Sequence, residues 1–231
     1  MHRHPDRGEA GGSVTSQHPT APGPRGAAVG RRIGIGLMNG LWRPRVLGSW
    51  RVPAHGPVIL AGNHSHNVDG PMIIGTSPRP VHFLVKKEAF IGPLDPFLRG
   101  IGQLAVDRES ADRTAIAAAL GVLARGGVLG IFPEGTRGAG DFAELRSGLA
   151  YFAVRSGAPV VPVAVLGSAR QGRVIAGLPP LRSRVDIVFG DPFEAGDGSG
   201  RRTRTAMDAA TSRIQEHLTA HLAHAKQATG R

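Results

Sequence analysis

The sequence predicts a single α/β domain, in which a mostly parallel sheet is flanked by helices on both faces. Its 231 residues are enough to bury one core without metals or crosslinks. From residue 57 onward, short apolar runs typical of buried strands alternate with longer amphipathic stretches typical of helices. The sequence contains no cysteine. A disulfide framework, a cysteine nucleophile and a thiolate metal site are therefore excluded.

The ends of the chain differ from its middle in composition. Residues 1–28 are rich in Gly, Pro, Ser, His and charge, so we expect a disordered basic tail. Residues 29–231 then form the domain, which ends in a helix over 203–226. Segment 31–51 alternates large apolar residues with arginines and could lie in a membrane interface. Its glycines disfavour a helix in water, yet a first helix packed on the domain is slightly favoured over the interfacial interpretation.

The elements between these ends follow one another in a regular order. Helices are expected from the first turn at Pro71, from an N-cap at Ser110 to the Gly126-Gly127 pair, and over 147–156. The predicted strands cover 58–61, 82–85, 103–106, 128–132 and 159–166, and the alternation over 184–189 indicates an edge strand. In such a sheet, ligands bind at the carboxyl ends of the strands.

The charge of the chain limits its partners. Formal net charge is +11, and all but three of the 28 basic residues are arginine, which binds phosphate oxygens in a bidentate fork. Nucleic acid and an anionic membrane surface both attract such a protein. Aromatic residues make up only 5% of the chain, which weakens the case for base stacking, and no motif for reading nucleic acid is present.

The loop after the first of these strands contains a histidine and a carboxylate in a suggestive spacing. Asp69 lies five positions after His64. A histidine can deprotonate an alcohol when a carboxylate fixes its tautomer. His66 lies closer to Asp69, so it is a rival base. The two histidines with Asp69 also allow a zinc interpretation, but Gly70 stands where a further ligand histidine is needed.

A second loop follows the strand at 128–132. Its sequence, Phe-Pro-Glu-Gly-Thr-Arg over residues 132–137, places a carboxylate and a guanidinium around a glycine turn. Arg137 can clamp a phosphate, and Glu134 can orient Arg137 or hold a substrate hydroxyl. An ion pair on a surface turn is the alternative explanation.

Taken in order, four blocks of the sequence resemble the 1-acylglycerol-3-phosphate acyltransferase family of glycerolipid synthesis. The resemblance runs from about residue 47 to residue 193. The family commonly has a serine two residues after its histidine, and this chain has His66 there. The matching blocks are Asn63-His64 with Asp69, Gly102 to Arg108, Phe132 to Arg137, and Val161 to Ala164 around Pro162.

This resemblance implies a transferase that moves a fatty acyl group to the free hydroxyl of 1-acylglycerol-3-phosphate, giving phosphatidic acid. His64 would be the general base, Asp69 its orienting acid, and Pro162 would shape the acyl-thioester pocket. No cofactor and no metal are implied, because the acyl group arrives as a thioester of CoA or of acyl carrier protein. The residues implied in binding the acceptor are Asn63, Arg108, Glu134, Gly135, Thr136 and Arg137.

Several rivals remain open at this point. The acceptor could be another lysophospholipid, glycerol-3-phosphate or a glycolipid, and the chain could be a lipid-binding protein without turnover. No run reaches the roughly 20 apolar residues that cross a bilayer. We therefore expect a cytoplasmic protein that associates peripherally with an anionic membrane surface and recognises no specific nucleic acid.

Overall fold

The computed structural model describes residues 21–109, 112–135, 139–168, 178–196 and 203–231. In chain order the α-helices and strands of these ranges are α1 (Pro24–Leu41), β1 (Arg43–Leu47), β2 (Val58–Gly62), α2 (Asp69–Thr76), β3 (Val81–Lys86), α3 (Leu94–Gly100), β4 (Leu104–Val106), α4 (Arg113–Ala124), β5 (Val128–Ile131), α5 (Gly148–Ser156), β6 (Val160–Leu166), β7 (Arg184–Phe189) and α6 (Arg204–Thr229).

One sheet organises the described residues. Its strand order is β1-β7-β6-β2-β5-β3-β4, and every neighbouring pair is parallel except β6 and β7. Strands β1 and β7 therefore run opposite to the other five. Helices cover both faces, with α4, α5 and α6 packed on one core and α1 and α2 on the other. The predicted α/β fold with a mostly parallel sheet is confirmed.

Segment 31–51 begins within helix α1. The helix begins at Pro24, so residues 24–28 belong to the domain rather than to the predicted tail, and residues 1–20 lie outside the described ranges. The segment then forms most of α1, strand β1 and a 3-10 turn at Ser49–Arg51. No helix in the described ranges is both long and apolar enough to span a bilayer.

The glycines of α1 have a packing role. A Cβ atom on Gly34 would lie 2.9 Å from the Cα atom of Gly75 in α2, and one on Gly75 would lie 2.6 Å from the carbonyl of Gly34. Glycine at both positions therefore allows the two backbones to touch. Gly34 thus lowers the helix propensity of α1 in water but allows α1 to dock on the domain, whereas Gly36 and Gly40 face open space.

Two strands differ from the sequence prediction. Strand β7 is not at the edge, because β1 pairs with it in parallel, from Arg43 opposite Arg184 to Leu47 opposite Val188. The arginines and proline at the start of β1 gave no strand pattern. The predicted cap Ser110 lies outside the described ranges, and the N-cap of α4 is Asp112, whose side chain accepts a hydrogen bond from the N–H of Ala115.

Candidate active site

Three strand ends bring the predicted loops together. The histidine loop follows β2, Arg108 follows β4, and Glu134 with Gly135 follows β5. Strands β2 and β5 are direct neighbours, and β3 links β5 to β4. Because these strands are parallel, their carboxyl ends lie on one side of the sheet. Residues far apart in the chain can thus share one site.

Asn63 anchors the histidine loop to the sheet. Its side-chain amide donates to the carbonyl oxygen of Val165 at 3.1 Å and accepts from the N–H of the same residue at 2.7 Å. The side chain is buried. We therefore expect Asn63 to hold the loop against β6 rather than to touch the acceptor.

Asp69 organises the loop from the start of α2. Its side chain is fully buried, and its Oδ2 atom accepts the backbone N–H groups of Ser65 at 2.9 Å and His66 at 2.6 Å. The same oxygen lies 3.3 Å from Nδ1 of His64. One carboxylate oxygen therefore fixes the loop backbone and one imidazole together.

The His64 ring is held on two sides. It stacks on Phe132, with the ring centroids 4.1 Å apart and the planes inclined by 14°. The carboxylate of Asp69 at Nδ1 favours the tautomer with a proton on that nitrogen. The lone pair of Nε2 is then available to accept a proton from a substrate. With 14% of its side chain exposed, His64 borders the cavity described below.

His66 has a different environment. Its side chain is buried, and its Nδ1 atom accepts the N–H of Val68 at 3.4 Å. Its hydrogen bond to Asp69 comes from the backbone N–H and not from the ring. The structure thus pairs the imidazole of His64, rather than that of His66, with the carboxylate. In the described ranges no group of three or more His, Asp or Glu side chains could hold a metal ion.

Glu134 connects the two loops. Its Oε1 atom accepts the backbone N–H of His64 at 3.0 Å. Burial raises the pKa of Glu134 above its usual value, and the hydrogen bond from His64 opposes that rise in part. The carboxylate that the resemblance assigned to the acceptor is therefore in contact with the backbone of the proposed base.

This contact leads to a testable expectation. Glu134→Ala should lower kcat by about 10²-fold with little change in the KM of the acceptor, because a displaced His64 is not in position for proton transfer. Glu134→Gln keeps an oxygen that can accept the His64 N–H, so it should retain much of kcat. Steady-state kinetics of both variants decide the matter. A large rise in acceptor KM at unchanged kcat would place Glu134 on the substrate instead.

The pH dependence of stability gives a second readout for the Glu134→Gln variant. Since burial disfavours the ionised form, the stabilisation that Glu134 contributes is present at low pH and declines as pH rises from the usual pKa of a glutamate through the raised one. The amide of the variant cannot ionise. The Tm of Glu134→Gln relative to the unsubstituted protein should therefore increase from acidic to neutral pH, and a pH-independent difference would contradict this assignment.

Two arginines meet at the glycine turn after β5. Gly135 adopts a φ of +72°, which favours glycine, and its carbonyl oxygen accepts a hydrogen bond from the guanidinium of Arg108. The side chain of Arg146 lies against the open side of Gly135. Thr136 and Arg137 lie outside the described ranges. The turn is thus flanked by positive charge from two other elements.

A cavity of about 510 Å³ opens beside His64 and Arg108. Its walls come from α1, α2, α3 and β3 and are largely apolar, and Phe132 forms part of its boundary. A second cavity of about 220 Å³ lies on the α4 and α5 side and shares Arg108 and Phe132 with the first. Pro162 is buried in the middle of β6 and lines neither cavity. Its implied role at the acyl pocket has no direct contact to support it.

Sequence reasoning missed several residues of this site. Arg146 has no local motif, and it reaches Gly135 because its backbone N–H bonds to the carbonyl of Pro133 at 2.8 Å. Phe97 and Leu98 of α3 line the larger cavity from a helix of seven residues, which is too short to show a clear period. The apolar pair directly after Pro96 was the available signal.

Comparisons with known proteins show the family of the chain. A family profile described as Acyltransferase matches residues 43–166, more than half of the chain. A 1-acyl-sn-glycerol-3-phosphate acyltransferase of Bacillus subtilis (strain 168) is 27% identical over 176 residues, which cover 75% of this chain and 85% of that protein. A protein of the same name from Borreliella burgdorferi is 35% identical over 123 residues, 51% of this chain and 49% of its own length.

A solved structure shares the fold. The crystal structure of PlsC, the 1-acyl-sn-glycerophosphate (LPA) acyltransferase from Thermotoga maritima, superimposes with a TM-score of 0.66. The match covers 87% of this chain and 79% of that one, at 21% sequence identity.

Proposed function

Because the chain belongs to the acyltransferase family, we propose that it transfers a fatty acyl group from a thioester to the free hydroxyl of 1-acylglycerol-3-phosphate, giving phosphatidic acid. The observation that carries this proposal is the His64–Asp69 pair, at 3.3 Å, on the border of an apolar cavity that also contains Arg108. The pair supplies a base, the cavity suits an acyl chain, and the arginine suits a phosphate. The named relatives support the same acceptor.

The proposed reaction is a direct transfer with His64 as the only proton carrier. Nε2 of His64 removes the proton of the acceptor hydroxyl while the oxygen attacks the thioester carbonyl carbon. Asp69 stabilises the imidazolium that results. The tetrahedral intermediate then expels the thiolate, which takes the proton from His64 and leaves as a free thiol. The sequence of steps forms no acyl-enzyme and needs no cofactor.

The acceptor phosphate is assigned to the arginines around the second loop. Arg108 and Arg146 converge on Gly135, and Arg137 follows two residues later in the chain. Arginine side chains bind phosphate oxygens in a bidentate fork. The acyl chain of the donor is assigned to the apolar cavity, and its carrier is acyl-CoA or acyl carrier protein.

Removing one of these cations should affect one substrate only. We expect Arg137→Ala to raise the KM of the acceptor by about 10- to 100-fold, the equivalent of a lost charge-assisted hydrogen bond, with little change in the KM of the donor. Kinetics with each substrate varied in turn measure this. Arg125→Ala at the far end of α4 is the matched control. Equal increases for both substrates would make Arg137 structural or a donor contact.

A panel of acceptors tests the proposed function itself. Labelled acyl-CoA is offered with lysophosphatidic acid, glycerol-3-phosphate and lysophospholipids that lack a phosphate monoester. The proposal requires the highest kcat/KM with lysophosphatidic acid. Preference for another acceptor would correct the substrate, and binding of lysolipid without transfer would favour a lipid-binding protein.

The acceptor is a membrane lipid, so we also propose that the protein docks peripherally on an anionic membrane surface. The outer face of α1 presents Val29, Ile33 and Leu37, between 37% and 48% exposed, beside the mouth of the apolar cavity. These residues recur every fourth position and form one apolar stripe. A lipid could then pass between the bilayer and the cavity along α1.

Point substitutions on this stripe test the docking surface better than deletion of α1, because α1 also contributes residues to the core. Val29→Gln with Leu37→Gln should weaken binding to anionic vesicles by about 100-fold, since each burial is worth roughly 1.5 kcal/mol, or about tenfold in affinity. Trp50→Gln is the matched control, because Trp50 is 79% exposed and follows β1 at the opposite end of the sheet. Equal losses in both proteins would locate the membrane contact elsewhere.

A further inference from the structure

A cluster of three arginines around one buried carboxylate lies outside the site described above. Asp186 in β7 is fully buried. Its Oδ2 atom lies 3.1 Å from Nε of Arg184 and 3.3 Å from Nε of Arg231, and its Oδ1 atom lies 3.9 Å from Nη1 of Arg45. We call Arg45, Arg184 and Arg231 with Asp186 the arginine cluster.

The arginine cluster contains more cations than the neutralisation of the Asp186 side chain requires. One cation would neutralise the side chain of Asp186, and three guanidinium groups lie within 4 Å of it. The arginine side chains remain 37% to 47% exposed although the carboxylate is fully buried. Further bonds from Arg184 to the carbonyl of Thr229 and from Arg231 to the carbonyl of Arg184 fix the guanidinium groups. The result is a preorganised group of N–H donors that can bind the oxygens of a phosphate.

The cluster lies on the same end of the sheet as His64. Strand β7 runs opposite to β2, so its first residues stand beside the carboxyl ends of the other strands, with Asp186 opposite Leu166. Arg231 lies over Gly167, and the hydroxyl of the next residue, Ser168, is 3.5 Å from that of Ser65 in the histidine loop. Only β6 separates β7 from β2, a distance of about 10 Å between strands.

Two exposed apolar residues precede Arg184 in the chain and favour a lipid as the ligand of the cluster. Leu178 and Leu181 are 64% and 66% exposed. Their segment is fixed to the end of α1, because Nε1 of Trp42 donates to the carbonyl of Pro179 and the N–H of Arg182 donates to that of Leu41. Leucines beside arginines suit the boundary between acyl chains and headgroups. A soluble phosphate compound would gain nothing from these leucines.

We propose that the arginine cluster binds the phosphate headgroup of an anionic phospholipid and so orients the cavity mouth toward the bilayer. The inference rests on the proposed function, since the acceptor and product are both anionic membrane lipids. It adds a headgroup site, built from β1, β7 and the segment after α6, to the apolar contact of α1.

The experiment compares vesicle binding by matched arginine variants. Arg45→Gln with Arg231→Gln leaves Arg184 to pair with Asp186, so the buried carboxylate keeps a partner. On phosphatidylglycerol vesicles, we expect about fivefold weaker binding for each substitution, or about 25-fold for both, and no change on phosphatidylcholine vesicles. Arg45→Lys keeps the charge and should keep most of the binding.

Arg204→Gln is the control. Arg204 is an exposed arginine at the other end of α6, about 37 Å away by the rise of the helix, and its removal should not affect binding. The proposal fails if the double variant binds anionic vesicles as tightly as the unsubstituted protein, or if Arg204→Gln weakens binding equally. It also fails if vesicle binding is unchanged while the KM of acyl-CoA rises, because the phosphate would then belong to the soluble donor.

The proposed function is tested separately in the same preparation. Turnover of detergent-dispersed lysophosphatidic acid by the unsubstituted protein requires no vesicle. Absence of this turnover would contradict the proposed function. Loss of selective vesicle binding is a separate result, which concerns only the headgroup site.

Discussion

His64→Ala is expected to lower kcat by ~10² to 10⁴-fold, the usual contribution of a general base, whereas His66→Ala should keep a measurable rate. The reason is the different environment of the two rings. Nδ1 of His64 faces the carboxylate of Asp69 at 3.3 Å, and Nδ1 of His66 accepts the N–H of Val68. Single-turnover rates with labelled acyl-CoA measure both variants, so slow product release cannot conceal the effect.

The comparison of the two histidines has an internal check. Both variants should remain folded, which their Tm values report, although His66→Ala removes a buried side chain and should lower Tm more. An inactive His66→Ala protein beside an active His64→Ala protein would reverse the assignment. Equal loss in both would mean that the loop, rather than one imidazole, is the sensitive element.

Asp69→Asn is expected to reduce kcat to a similar extent. The substitution keeps the size of the side chain but removes the charge that stabilises the His64 imidazolium, and the amide can present an N–H where His64 needs an acceptor. In the Ser-His-Asp triad the corresponding change costs about 10⁴ in kcat through the wrong tautomer. We therefore expect a loss of ~10² to 10⁴-fold, measured as kcat at saturating levels of both substrates.

Asp69 also accepts two backbone N–H groups, so the fold must be monitored. Asp95→Asn is the matched control, because Asp95 pairs with Arg99 on the exposed side of α3 and should change neither kcat nor Tm appreciably. A fully active Asp69→Asn protein would show that His64 needs no orienting carboxylate and would remove the base mechanism.

The strands of the central sheet could be predicted because their residues are apolar on both faces. The runs Val58–Gly62 and Val160–Leu166 are buried at every position, and a continuous apolar run has few other uses in a chain of this length. The edge strand β1 was harder to predict from the sequence. Strand β1 is exposed or half-exposed along its length, so it has no apolar pattern. Its Arg45 forms an ion pair with Asp186 in β7, which lies far along the chain.

The spacing between His64 and Asp69 could be read locally because both residues belong to one loop. The contact between Glu134 and the N–H of His64 could not, since it joins residues 70 positions apart. The same holds for the bonds from the Asn63 amide to Val165. Side chains that support a loop from another strand leave no periodic signal in the sequence, and sequence reasoning therefore assigned both to the substrate.

Incubation of the protein with isotope-labelled acyl-CoA and unlabelled lysophosphatidic acid distinguishes direct transfer by general-base catalysis from transfer through an acyl-enzyme. Lipid, thiol and intact protein are followed by mass spectrometry. We predict one labelled phosphatidic acid for each thiol released and no label on the protein. Labelled fatty acid without labelled phosphatidic acid, or acyl label retained on the chain, would contradict direct transfer.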